Sequence, residues 1–255
     1  MSESRLQDAR VVALRALCLG ALLTRYDLET RVKTLAEYLI SDEDRRILTD
    51  KRQTLNERLL FWLHAEKLTD HLTQAERNLL EKPLGSWSGR ALSLIAWRAE
   101  TLGMLLWALR IVEFIPTFDT PFEGDELLPS LDIFNATIDV IWTAQLRSNE
   151  HLFRMRDAAE MWDWRTRATE LQRMGIRPSE GVNYSKVIRT TAEQAHADGT
   201  LPTPIDGDFP AFGKSFATLN DDEYELIHAI ATERYHTICW ITEPTAEWES
   251  LPADL

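Results

Sequence analysis

The chain has 255 residues, 44% of them hydrophobic and nine of them tryptophan, enough to bury roughly 70–75% of the unfolded surface, which excludes a disordered chain or a coiled-coil fibre. Its 41 carboxylates outweigh 28 Lys and Arg, and the formal charge of −13 has the wrong sign for neutralising phosphate, so nucleic-acid binding is disfavoured. Two cysteines, Cys18 and Cys239, are too few for a disulfide framework or a zinc site of their own.

Helical periodicity begins at once, with Leu6, Ala9, Ala13, Ala16, Leu17 and Gly20 recurring at three- and four-residue steps. Strand signals are nearly absent. Ser41 before Asp44, Thr73 before Glu76 and Asn220 before Glu223 each set a capping oxygen three residues ahead of an acid, the mark of a helix start. The pattern predicts helices over 4–25, 27–40, 42–70, 74–82, 89–114, 126–147, 150–174, 183–198 and 221–241. Breaks are expected at 83–89, 116–124 and the Pro- and Gly-rich 199–213. Both cysteines fall in apolar helical pattern and read as small buried hydrophobes. Arg15, Arg98 and Glu100 interrupt the longest apolar runs, leaving nothing near the roughly 20 residues that span a bilayer. Glu3 and Asp8 stand where a signal peptide is basic, so a cytoplasmic protein with no membrane partner is expected.

The helix over 89–114 is apolar around its whole circumference, as a buried helix is. At 100° per residue Arg98 falls among Leu94, Leu105 and Leu109, and Glu100 between Met104 and Trp107. An unpaired charge there costs several kcal/mol, so each needs a partner or water. In the last helix Ile227, Ile230, Ala231, Ile238 and Ile241 form one stripe with Arg234 near its centre. A contact between Glu100 and Arg234 is therefore expected, as an ion pair that fixes how helices dock or as part of a pocket.

Several stretches carry a resemblance: Trp97-Arg98-Ala99-Glu100 running into Leu105-Leu106-Trp107-Ala108-Leu109, Leu146-Arg147-Ser148, and Asp157 with Trp164. It continues through Asp208-Phe209-Pro210-Ala211-Phe212-Gly213-Lys214, Glu233-Arg234-Tyr235-His236 with Trp240, and Trp248-Glu249-Ser250-Leu251-Pro252-Ala253-Asp254. In these the sequence resembles the bacterial domain-of-unknown-function family numbered 4272. Arg110, where members often carry Gly, and Cys239, where Asn is usual, depart from the pattern. The resemblance implies an all-helical bacterial domain and assigns it no reaction or ligand.

Three Glu-to-His pairs stand three residues apart: Glu193 with His196, Glu225 with His228, and Glu233 with His236. Two such pairs from different helices, with carboxylates from two more, would build a dinuclear metal site. His228 and His236 lie about 12 Å apart along one helix, so only one of them could join His196. Ordinary helix-surface pairing accounts for the same spacing, and no cofactor is expected beyond such a divalent metal. Gly207-Asp208-Phe209-Pro210-Ala211-Phe212-Gly213-Lys214-Ser215 has one residue too many between its glycines for a phosphate loop, and no strand precedes it. There Phe209 and Phe212 are expected to fill an apolar gap while Lys214 finds a local acid. Trp87 holds the nucleophile's place in Gly85-Ser86-Trp87-Ser88-Gly89, and His64-Ala65-Glu66 lacks the Pro-Cys-x-x-Cys half of a deaminase motif. Seven arginines between 147 and 177 alternate with acids at helical spacing, the pattern of a salt-bridged helix.

The chain is thus expected to be all-α, a single domain over 1–255 of eight or nine helices around the 89–114 helix. Its acidic segment 198–255, with twelve carboxylates against Lys214 and Arg234, would dock on that domain. Two functions are carried forward. One is a non-enzymatic protein acting by contact as a regulator, adaptor or neutraliser of a basic partner, in an oligomeric state the sequence leaves open. The other is an enzyme or small-molecule binder. In it Arg98 or Arg234, with Lys214 and Asp208 nearby in role, would hold an anionic group, Glu100 or His236 would move a proton, and Glu193, His196, Glu233 and His236 would hold any metal.

Overall fold

The computed structural model describes residues 6–36, 41–176, 183–243 and 248. Among these the chain is all-α: α1 (Ala9–Ala36), α2 (Asp42–Ala65), α3 (Gln74–Glu81), α4 (Gly89–Ala108), α5 (Gly124–Leu127), α6 (Ile138–Trp142), α7 (Asn149–Arg173), α8 (Tyr184–Ala197) and α9 (Asp221–Thr242). One antiparallel ribbon interrupts the helices, β1 (Pro210–Ala211) against β2 (Lys214–Ser215), in the register Pro210 to Ser215 and Ala211 to Lys214. Phe212 and Gly213 both have positive φ, the two-residue turn that suits the twist of a hairpin.

The three sequence-read caps all form: Ser41, Thr73 and Asn220 each accept a hydrogen bond from the amide three residues on. Several boundaries move. The segments 4–25 and 27–40 join, over the described Ala9–Ala36, into one helix, α1, because nothing between them breaks its ladder; residues 4–5 and 37–40 lie outside the described residues. In place of a helix over 126–147 stand α5, a 3₁₀ turn opened by Pro129, and α6. Asp132 and Phe134 lie between them with φ of 49° and 81°, and neither fits a right-handed helix. The helix over 89–114 ends at Ala108. Arg110, at φ 63°, donates to the Trp107 carbonyl, and Ile111 donates to that of Leu106. That is the closing motif in which glycine is usual at the left-handed position. Gly175 and Gly199 end α7 and α8 the same way.

Contacts gather into two compact units, a grouping the sequence reading does not draw. Of the described residues, Gln7–Glu113, Phe122–Leu146 and Trp248 form one; Leu6, Phe114–Pro121 and 147–243 form the other. In the first, α1 and α4 pack along each other, and Ala13 and Leu17 of α1 and Leu102 and Leu106 of α4 are fully buried. A Cβ on Gly103 would lie 2.4 Å from the Phe122 ring, so glycine there permits that approach. Every residue from Ala99 to Ala108 is buried, whereas Leu92, Leu94, Trp97 and Arg98 are half-buried. The expectation that Arg98 is embedded in apolar side chains is corrected accordingly: it lies on the half of α4 that keeps some solvent.

In the second unit α7 and α9 pack along their lengths, with Leu152, Ala159, Trp162, Ile227, Ile230, Ile238 and Ile241 buried. Most of the acidic 198–243 stretch is thus structural here. Phe209 is fully buried, as expected, but Phe212 stands exposed at the hairpin turn. Cys18 is buried and its thiol is pushed up to about 12 by that burial, which makes it an inert apolar residue. Cys239 is only half-buried, against the expectation for it.

Candidate functional site

The internal charges are held by specific bonds. In the α1–α6 unit, Arg15 places one nitrogen 2.8 Å from both oxygens of Glu76, whose carboxylate also accepts from the Thr73 amide and so caps α3. Fully buried Arg25 binds Glu29 at 2.7 Å, Asn56 at 2.7 Å and the carbonyls of Leu80 and Lys82. Glu100 is 1% exposed and accepts from the Phe122 amide. The expectation of a deeply buried Glu100 is met.

In the α7–α9 unit, Arg234 is fully buried and donates to the carbonyls of Pro116 (2.6 Å), Thr117 (3.3 Å) and Thr120 (3.0 Å), with its guanidinium over the Phe118 ring. Arg234 and Glu100 belong to different units. Arg165 reads in sequence as one of the surface arginines, but is 1% exposed. It forms a two-pronged pair with Asp208 at 2.7 Å, and Asp208 also accepts from the amides of Phe209 and Ala217. Other arginines of α7 do pair locally, Arg154 with Glu150 and Arg167 with Asp163. Lys214 finds its acid in Glu223, 2.8 Å away, and Glu223 is held below the usual carboxylate range by Lys214 and the Asn220 amide. Asp208 and Lys214 therefore hold the ribbon and its surroundings in place.

The four metal candidates separate by exposure. Glu193, His196 and His236 face solvent, and Glu233 is half-buried; the Nδ1 of His196 lies 3.1 Å from the Leu201 carbonyl. Among the described residues no three His, Cys, Asp or Glu side chains come together as metal ligands. The sequence reading passes over Asp163. Its carboxyl is buried on α7 and pushed up by that burial, against the lowering pull of Arg167, His236 and His228. Opposite it on α9, His228 stacks on Tyr224, and its buried Nδ1 lacks a hydrogen-bond partner.

Two recesses open along α7. One, of about 350 Å³, is walled by Phe118, Met155, Ala158, Trp162, Pro202 and Pro210, among others. Phe118 stacks on Trp162 with centroids 5.0 Å apart and planes 10° from parallel, and Phe209 meets the Trp162 ring edge-on at 5.3 Å. The second, of about 480 Å³, lies between α7 and α8 and is lined by Asp157, Glu160, Met161, Thr190, Thr191, Gln194, Ala195, Asp198 and Thr200, with no Lys or Arg among them. Thr200 lines both recesses, but the α7 residues that line them, Met155, Ala158 and Trp162 against Asp157, Glu160 and Met161, lie on different faces of the helix. In the first, Phe118 and Trp162 are themselves buried; in the second, Asp157 lies 3.8 Å from Arg156 and Asp198 accepts from Gln194.

The family described as Domain of unknown function (DUF4272) matches residues 1–190. The chain belongs to this family. The match covers α1–α7 and the start of α8, so the resembling stretches between Asp208 and Asp254 lie outside it. No curated protein and no solved structure matches the chain. Within the family match, Arg110 takes the left-handed position that closes α4, a place that favours Gly.

Proposed function

We propose that this chain is a cytoplasmic, non-enzymatic protein that acts by binding a basic partner. The observation that carries the reading is the recess between α7 and α8, which Asp157, Glu160 and Asp198 line with no Lys or Arg among its described lining residues, while Arg156 lies 3.8 Å from Asp157. Such a surface attracts and orients a basic partner, with an on-rate that falls as salt rises. The engagement of Arg15, Arg25, Arg165 and Arg234 in holding helices and loops supports it too, since these cations already have structural work. Among the described residues no helix is long and apolar enough to cross a membrane, which agrees with the proposed location.

Calorimetric titration with a blocked Lys- and Arg-rich peptide tests the reading. Saturable one-to-one binding that weakens from low to physiological ionic strength is expected, and absence of binding at low salt refutes it. The second reading, an enzyme or small-molecule binder, draws on Asp163 and the His228 ring beside it. Stoichiometric iron, manganese or zinc in the purified protein is the result that favours it.

A further inference from the structure

We propose that the apolar recess beside the β1–β2 hairpin receives the Phe212 ring of a second copy of this chain, so that two copies pair reciprocally, knob into hole. This goes beyond the basic-partner reading and does not rest on it. The observation that carries it is Phe212 itself. A two-residue hairpin turn needs positive φ at both central positions, where Asn-Gly and Asp-Gly are favoured. The turn just before it follows that rule, with Asp206 (φ 53°) and Gly207 (φ 76°) between the bridged Ile205 and Asp208. In the turn between Ala211 and Lys214 the first central position holds a phenylalanine instead, at φ 51° and 38% exposed. That choice costs the turn local stability and leaves apolar surface in water, so its reason lies outside the turn. The backbone that carries the ring is pre-set: the Phe212 amide donates to Asp119 at 2.7 Å, and Lys214 pairs with Glu223 at 2.8 Å.

The same hairpin borders the hole. Ala211 and Gly213, on either side of Phe212, line the recess of about 350 Å³ together with Pro116, Met155, Pro202 and Pro210. Pro202 and Gly213 are exposed and Pro116, Met155 and Pro210 half-buried, so the mouth is apolar and open to solvent. An apolar cavity of roughly 150 Å³ takes a benzene ring, so this one has room for a phenylalanine side chain. Knob and hole on one surface make that surface self-complementary, the condition for a two-fold pair in which each copy gives and receives the same contact. Charge selects the occupant. Two chains of −13 repel each other, and least where ionisable groups are fewest. Among the described lining residues only Asp119 is ionisable, and its carboxylate already accepts from the Phe212 amide and the Thr117 hydroxyl. A basic partner finds no free carboxylate there, whereas a second copy meets a face as apolar as its own. Phe114, 74% exposed and next to Ile115 of the recess wall, adds apolar area to the contact.

Sedimentation equilibrium on the full chain, from about 1 µM to about 1 mM, tests the pairing in the natural chain, Phe212→Asn and Pro202→Asp. Asn suits the left-handed turn position, so Phe212→Asn should melt at or above the natural chain, which separates lost pairing from lost fold. Pro202→Asp sets a carboxylate at the mouth of the hole and leaves the hairpin untouched. The proposal expects a monomer–dimer equilibrium in the natural chain that tightens as salt screens the net charge, and that each variant weakens at least roughly tenfold. Photo-crosslinking from Phe212→p-benzoylphenylalanine, in a mixture of isotope-labelled and unlabelled chains, should join that position of one copy to Met155, Pro202 or Pro210 of the other. A natural chain that stays monomeric throughout the range overturns the proposal. So does a dimer that either variant leaves unchanged, or crosslinks between copies that reach only other regions. The titration with a basic peptide fails or succeeds separately, because that binding weakens with salt where this pairing strengthens.

Discussion

In the α1–α6 unit the buried guanidiniums of Arg15 and Arg25 meet Glu76 and Glu29, both on helices, while in the α7–α9 unit Arg165 and Arg234 reach out of their helices to loops. The first ties α1 to α3 through Glu76 and stays within α1 at Glu29, while Arg15 and Arg25 also take the carbonyls of His71 and Lys82 and Glu29 takes the Gly85 amide. The second fastens irregular backbone: Arg234 takes the carbonyls of Pro116, Thr117 and Thr120, and Asp208, gripped by Arg165, takes the amides of Phe209 and Ala217. Those loops are the ones that wall the apolar recess through Pro116, Phe118, Pro210 and Ala211. Buried charge holds backbone outside the helices in both units; in the α7–α9 unit part of that backbone lines a recess.

Breaking each arrangement sharpens the contrast. Asp208→Ala has the largest expected effect, because it strands a buried guanidinium and releases two amides. A loss of about 3–5 kcal/mol in denaturant unfolding is expected, and replacing the pair together by Arg165→Met/Asp208→Leu costs less than the single change. Glu76→Gln costs less, about 2–3 kcal/mol, since the amide side chain can still accept from Thr73 while Arg15 loses its counter-charge. Arg234→Met should likewise destabilise, by about 2–3 kcal/mol.

Arg110→Gly runs in the opposite direction. It removes a side chain from the left-handed position that closes α4 and should raise stability by about 1 kcal/mol, less the bond from Arg110 to the Leu146 carbonyl. The smallest effect concerns Asp163. A carboxyl whose folded pKa is raised contributes stability that is fully present below its unfolded pKa and is lost as pH rises through the folded value. Asp163→Asn should therefore flatten the stability profile across that window, gaining on the natural chain as pH rises from acid; an unchanged slope contradicts the assignment.

Much of the fold is legible in the sequence because helices announce themselves locally. The caps at Ser41, Thr73 and Asn220 form as read, and the burial of Glu100 and Arg234 follows from apolar neighbours at helical spacing. Arg165 is not legible, because acids at three- and four-residue spacings make α7 look like a solvated ion-paired helix, while its partner Asp208 lies 43 residues away. The break between α5 and α6 escapes notice for a related reason: Asp132 and Phe134 adopt positive φ without a glycine to mark it. The two recesses escape it as well, since their walls come from 115–119, α7, α8 and 200–213, and no local pattern links them.

Amide hydrogen exchange with and without a saturating Lys- and Arg-rich peptide tests the central claim most directly, because it reports where on the chain a basic segment settles. New protection at 157–161 and 190–200, absent from α1–α3, is the predicted pattern. Protection confined to any other region, with those two stretches unchanged, contradicts it.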